Sequence, residues 1–333
     1  LGALMGLWLQ GFWVFFTPFF TFILVPFLET ILPIAKQNLS QKELLSKDKN
    51  KFFNVILYLN IPIVYGLIGY FLWSLSFEQY SITELVGLTI SLGIVVGANG
   101  INIAHELGHR KLHFERVFGK TLLLPALYMH FFIEHNFGHH LHAATPQDPA
   151  TAKYNQSIYS FWFGSIKGQY IKAWSIQKSL LGRAKLPFLS SKNDMLWYTL
   201  IQFGYLMSVY LFLGELAVGL ALCIALSGVL LLETINYIQH YGLKRNKKAS
   251  GRYERISEIH SWNSNHVLGR ILLYELTRHS DHHYRAHKKF QLLEYHQSGP
   301  QMPFGYTTSM VLALAPPLWF LVMNPIIPVV MRP

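Results

Sequence analysis

Residues 85–109 read LVGLTISLGIVVGANGINIAHELGH. Positions 85–104 carry no Asp, Glu, Lys or Arg, and roughly 20 such residues are what a helix needs to cross the hydrocarbon core of a bilayer. Directly after them stand His105 and His109, an i, i+4 pair that a continuing helix places on one face. The stretch predicts a transmembrane helix that delivers two imidazoles to the membrane edge. It therefore predicts an all-α, polytopic membrane fold with its chemistry gathered at one end.

Composition points the same way. Of the 333 residues 51% are hydrophobic and 14% charged, against roughly 25% charged in soluble domains, which excludes an ordinary cytosolic enzyme, a disordered chain or a secreted miniprotein. Working outward, about six transmembrane helices are expected within one integral membrane domain, 1–333, lying mainly in 1–34, 52–77, 85–104, 195–214 and 216–238. Residues 1–28 are uncharged and are expected to hold the end of one helix and most of a second, with Gly11 or Pro18 near the break. Residues 121–133 are apolar but too short to cross, and read as a half-helix or re-entrant piece. The stretch 304–333 is interrupted by Pro316, Pro317, Pro325 and Pro328 and reads as a membrane-associated tail.

Between the spans lie two long polar segments, 105–194 and 239–303, expected to form a cytoplasmic-side catalytic cap. Lys and Arg fix that orientation: 27 of the 28 fall between Ile34 and Phe52, between His105 and Met195, or between Gly242 and Pro303. The loops on the other side, around Glu78–Glu84 and at Glu215, contain none, which is the positive-inside pattern. The expected location is a bacterial inner membrane. The net charge of +11 is clustered between apolar runs instead of spread over a folded surface, so nucleic acid is not an expected partner. With Cys223 the single cysteine, no built-in iron–sulfur or rubredoxin-type centre is possible. Electrons for any redox reaction must come from another protein.

Sixteen histidines are the remaining anomaly. HELGH holds His105 and His109; EHNFGHH holds His135, His139 and His140; NYIQHYGL holds His240; RHSDHH holds His279, His282 and His283. HELGH alone also fits a zinc protease. Three clusters at helical ligand spacing argue instead for metal binding, and nine imidazoles exceed the three or four protein ligands of one tetrahedral zinc. Two metals with four or five imidazoles each fit better. Imidazole suits zinc, copper, iron and nickel alike, but an apolar bundle beside soluble electron carriers favours redox chemistry on a lipid-like substrate.

These four motifs, in this order among transmembrane helices, closely resemble the histidine motifs of the membrane-bound alkane 1-monooxygenases, and residues 276–323 are similar to that family beyond the ligands. The resemblance covers most of the chain from about Asn99 onward. It implies a six-helix bundle and a non-haem di-iron site held by histidines only. It further implies O2 as cosubstrate, hydroxylation of the terminal methyl of a linear alkane, and electrons from rubredoxin, itself reduced by a rubredoxin reductase. By motif it makes His105, His109, His135, His139, His140, His240, His279, His282 and His283 the iron ligands. One departure stands out: where the family commonly has Glu before the isolated histidine, this chain has Gln239, which puts in doubt any role of that carboxylate. His113, His130, His142, His260, His266, His287 and His296 match no ligand position.

Metal-bound histidines usually donate their second N–H to a carboxylate or carbonyl. Helical offset from the ligands, or a place within their clusters, picks out Asn102, Glu134, Glu233, Asn236 and Asp281 for that role, Glu233 because an acid at the end of an apolar span is rarely idle. An alkane offers only apolar contact, about 0.8 kcal/mol per methylene, so its length would be read by bulky stops in a tunnel, for which Trp8, Phe12, Trp13, Phe16 and Phe20 are candidates. The basic run after His240, with Lys244, Arg245, Lys247, Lys248, Arg252 and Arg255, suits docking of an acidic electron carrier or binding of anionic lipid. Three rivals stay open: a fatty-acyl desaturase or hydroxylase, a xylene-type methyl monooxygenase and a metal transporter.

Overall fold

The computed structural model describes residues 1–332, and among them there are helices, turns and three isolated bridges but no strand. Four helices are long and apolar enough to cross a membrane: Gly11–Ile31, Phe52–Ser74, Ile82–Gly108 and Asp194–His240. The predicted break near Gly11 is present, since Gln10 and Gly11 both take a φ of 51° where the helix Gly2–Leu9 meets the span Gly11–Ile31. The two spans expected over 195–214 and 216–238 are one run of 47 residues interrupted at Gly214. Its φ of 83° belongs to the left-handed region, which a side chain would resist.

Residues 121–133 do not form a half-helix. The helix His113–Leu122 ends ahead of Pro125, and the chain then turns through a positive φ at Leu127. A proline lacks the N–H that would continue the ladder and disfavours helical geometry in the residue before it. In the C-terminal stretch Pro316 and Pro317 begin the helix Pro316–Met323, the end at which their fixed φ is suited to a helix.

The described chain divides into two compact units: Leu1–Ile23, Phe52–Glu134 and Tyr170–Leu232 make the first, and Leu24–Lys51, His135–Gln169 and Glu233–Pro333 the second. In the first, Ser81 and Glu84 cap the helix Ile82–Val95 reciprocally, satisfying N–H groups that have no partner within the helix. A Cβ at Gly97 would lie 2.6 Å from Leu231, and one at Gly228 would lie 2.6 Å from Val96. Small residues thus let two spans approach closely, as apolar helices in a membrane do when surface burial from water cannot drive them together. Buried polar groups here find each other: Asn99 donates to Asn60 at 2.7 Å and Ser91 to the Val14 carbonyl at 2.6 Å.

Outside these contacts the first unit is greasy. Trp8 is 79% and Phe12 97% exposed, and Trp13 is exposed as well. Phe16 and Phe20 are half-buried and stack on each other.

The second unit is built around buried aromatics, Trp262, Trp319, Tyr237, Tyr241 and Tyr306. A strap over residues 34–38 crosses it. The Ala35 carbonyl accepts from both Arg270 and Arg278 at 2.9 and 3.2 Å, and Asn38 exchanges hydrogen bonds with the backbone of Tyr295.

Candidate metal centre

EHNFGHH does not fold as an α-helix throughout. Residues His135–His139 form a π-turn, with i to i+5 bonding, between short helices Phe131–Glu134 and His140–His142. The wider turn brings i and i+5 onto one side, so His135 meets His140, Nε2 to Nε2 at 3.0 Å, while His139 reaches His283 at 3.2 Å. RHSDHH lies on the helix His279–Tyr284. There His279 and His283 are 2.9 Å apart and His282 turns to His140 at 3.1 Å. His240, the last residue of its helix, reaches His279 at 3.2 Å.

Seven predicted ligands in the second unit therefore sort into two sets. The ligand atoms of His139, His240, His279 and His283 lie within 4.8 Å of one another, and so do those of His135, His140 and His282. All are buried except His140, which is half-buried. Burial and the surrounding imidazoles of His279, His140, His139 and His240 hold His283 well below the ordinary histidine pKa, so it is a neutral donor. Imidazoles with Nε2 atoms converged to about 3 Å are chemically suited to a metal ion, which would satisfy their lone pairs together.

In the first unit His105 and His109 are buried, with rings 5.2 Å apart and edge to face. They sit in and just after the helix Asn102–Gly108, downstream of a second π-turn, Val96–Ile101. Glu106, the would-be base of a zinc protease, forms an ion pair with Arg110 at 2.8 Å, both buried.

The residues expected behind the ligands have varied surroundings. Asn102 is buried. Glu134 pairs with Lys172 at 3.3 Å. Glu233 accepts from Gln169 at 2.7 Å and from Asn236 at 3.4 Å, with Glu233, Gln169 and Asn236 all buried. Asp281, although inside RHSDHH, turns to Lys288, His296 and the Glu294 amide at 2.7 to 2.8 Å. Burial opposes its ionisation, but those hydrogen bonds outweigh it and keep its pKa below the usual aspartate value. Gln239 donates to the Tyr306 hydroxyl at 3.1 Å.

In the basic run Lys244, Lys247, Lys248, Arg252 and Arg255 are exposed. Arg245 is buried, donating to the carbonyls of Leu141 and Glu254, and so belongs to the interior and not to a docking face. The sequence reading missed Asp148 altogether. Its Oδ2 lies 2.9 Å from His139 Nδ1, and both residues are buried. The turn around it is legible as TPQDP, but nothing in a nine-residue offset reveals its aim. Three of the histidines that match no ligand motif are engaged elsewhere: His130 packs between the rings of Tyr128 and Tyr170, His260 meets Ser257 and Glu254, and His266 meets Ser264.

By class, then, this is a histidine-rich helical membrane protein able to hold metal ions. The family model for fatty acid desaturases matches residues 81–310. An alkane 1-monooxygenase from Pseudomonas aeruginosa is 37% identical over 306 residues, 91% of this chain and 81% of the relative. A second, from Alcanivorax borkumensis, is 35% identical, covering 95% of this chain and 83% of the relative. The hydroxylase component of a xylene/toluene monooxygenase from Pseudomonas putida is 30% identical, covering 96% and 83%. The chain belongs to the alkane 1-monooxygenase family and is an oxidoreductase.

Proposed function

We propose that this protein hydroxylates the terminal methyl group of linear alkanes, within a bacterial inner membrane and with its site on the cytoplasmic side. The observation that carries the reading is the sorting of buried Nε2 donors into two sets. His139, His240, His279 and His283 would hold one iron. His135, His140 and His282 would hold the other, and His105 and His109, two imidazoles on one helical face, are proposed as iron ligands by their place in HELGH.

When bound, the iron pair would supply O2 activation and the oxidation of a C–H bond, using two electrons per turnover. The chain itself positions and shields. Its buried imidazoles fix where the metals sit, and its apolar helices exclude water and accept a substrate already dissolved among lipid chains. Rubredoxin is proposed to deliver the electrons, steered by the exposed Lys244, Lys247, Lys248, Arg252 and Arg255.

Greater identity to alkane 1-monooxygenases than to the xylene/toluene component supports a linear alkane over a methylbenzene. The test is purified protein assayed for iron, then given octane or hexadecane with O2 and reduced rubredoxin. Two irons per chain and a 1-alkanol are expected. An alkene from an acyl substrate, or metal transport without O2 consumption, would overturn the reading.

A further inference from the structure

Asp148 lies outside every histidine motif, yet its carboxylate is aimed at one histidine and held there by its own turn. Thr151 Oγ1 donates to Asp148 Oδ2 at 2.6 Å, and the Ala150 amide donates to Oδ1 at 3.2 Å. His139 presents Nδ1 to that same Oδ2 at 2.9 Å and Nε2 to His283 at 3.2 Å. With His139 only 2% and Asp148 only 4% exposed, water does not compete for this hydrogen bond.

We propose that Asp148 is the positioning residue that fixes His139 as an Nε2 donor and supplies anionic charge behind the metal of the four-histidine set. The inference rests on the metal reading above and deepens it. An ionised carboxylate only accepts, so it selects the tautomer with hydrogen on Nδ1 and the lone pair on Nε2. The set would otherwise hold its ion with neutral donors alone, and Asp148 gives that ion a counter-charge one ring away. Arg245 braces the same turn: its amide donates to Ala144 at 2.7 Å and its guanidinium to Leu141 at 2.8 Å, on the segment joining His140 to Asp148.

Asp148→Asn separates positioning from mere bulk. Asn keeps the shape and can still accept from the Ala150 amide, but it carries no charge and can offer an N–H to Nδ1, moving the ring hydrogen to Nε2 where a ligand lone pair is needed. Thr151→Val is the companion variant, removing one hydrogen bond to the carboxylate while leaving its charge.

The experiment measures iron per chain and the Mössbauer spectrum after dialysis against a graded chelator, with circular dichroism to confirm retained helix. Asp148→Asn should lose one of two irons at about 10–100-fold weaker chelation than the unsubstituted protein, the range typical when a ligand's hydrogen-bond partner is removed. The other iron should stay, and Thr151→Val should keep both. If folded Asp148→Asn keeps both irons with unchanged spectra, or loses both together, the positioning role is wrong while the di-iron reading stands. If the unsubstituted protein carries no iron when supplied with it, the metal reading itself fails and this inference falls with it.

Discussion

HELGH and EHNFGHH place histidines at the same i, i+4 interval, and they do different things with it. In HELGH the helix Asn102–Gly108 keeps His105 and His109 edge to face at 5.2 Å. In EHNFGHH the rings of His135 and His139 are also close, 5.3 Å, but their Nε2 atoms serve different partners. The cause is one extra residue per turn. A π-turn pairs i with i+5, so His135 shares its side with His140 and releases His139 to the other set. Spacing in sequence thus names candidate ligands but does not tell which of them share a set.

The sharpest way to break this comparison is to remove ligands singly and count metal. His139→Ala and His135→Ala should both abolish turnover, yet leave different irons behind, distinguishable by Mössbauer spectroscopy. His105→Ala and His109→Ala should leave the same one. Identical spectra for the first two variants would mean the π-turn does not divide the site.

Next in expected size is deletion of Phe137, an exposed residue within the π-turn. Without it the turn can close as an α-turn, putting His139 at i+3 and His140 at i+4 from His135, both on one face. The four-histidine set should then lose its iron, read as one iron per chain. Retention of two irons would show that tertiary packing, and not turn geometry, aims His139.

The π-turn ahead of HELGH invites a milder test. Gly97 sits within it, where a side chain would meet Leu231. Gly97→Val should cost about 1–3 kcal/mol through overpacking, read as a lower detergent-denaturation midpoint with iron content retained. A neutral result would mean the two spans yield more easily than their close approach suggests.

The smallest effect is expected at NYIQHYGL. Gln239 donates to Tyr306, and Gln239→Glu reverses that bond, since the carboxylate would accept from the tyrosine hydroxyl. Turnover should change less than about threefold, as a hydroxyl can give or take a hydrogen bond. A large gain would restore a role for a carboxylate at that position.

Much of the fold was legible because a bilayer imposes a one-dimensional rule. Uncharged runs of sufficient length must be helices, and the N-terminal break, the central span ending at HELGH and the two halves flanking Gly214 all follow from it. Residues 121–133 escaped it because apolar composition does not reveal a helix ended ahead of Pro125. Hydrophobicity likewise does not separate the exposed Trp8 and Phe12 from the half-buried Phe16 and Phe20.

The sequence by itself determined the membrane class, the helical architecture and the identity of nine candidate ligands, because length, charge and residue type are properties of single stretches of chain. Tertiary structure decided what depends on stretches far apart. It divided seven of those histidines between two sets, drew Arg245 out of the basic surface and turned Asp281 toward Lys288 and His296. It also set Asp148 against His139. Each of these is a matter of direction, fixed when buried polar groups must find partners across the fold, and no spacing along one stretch of sequence carries that information.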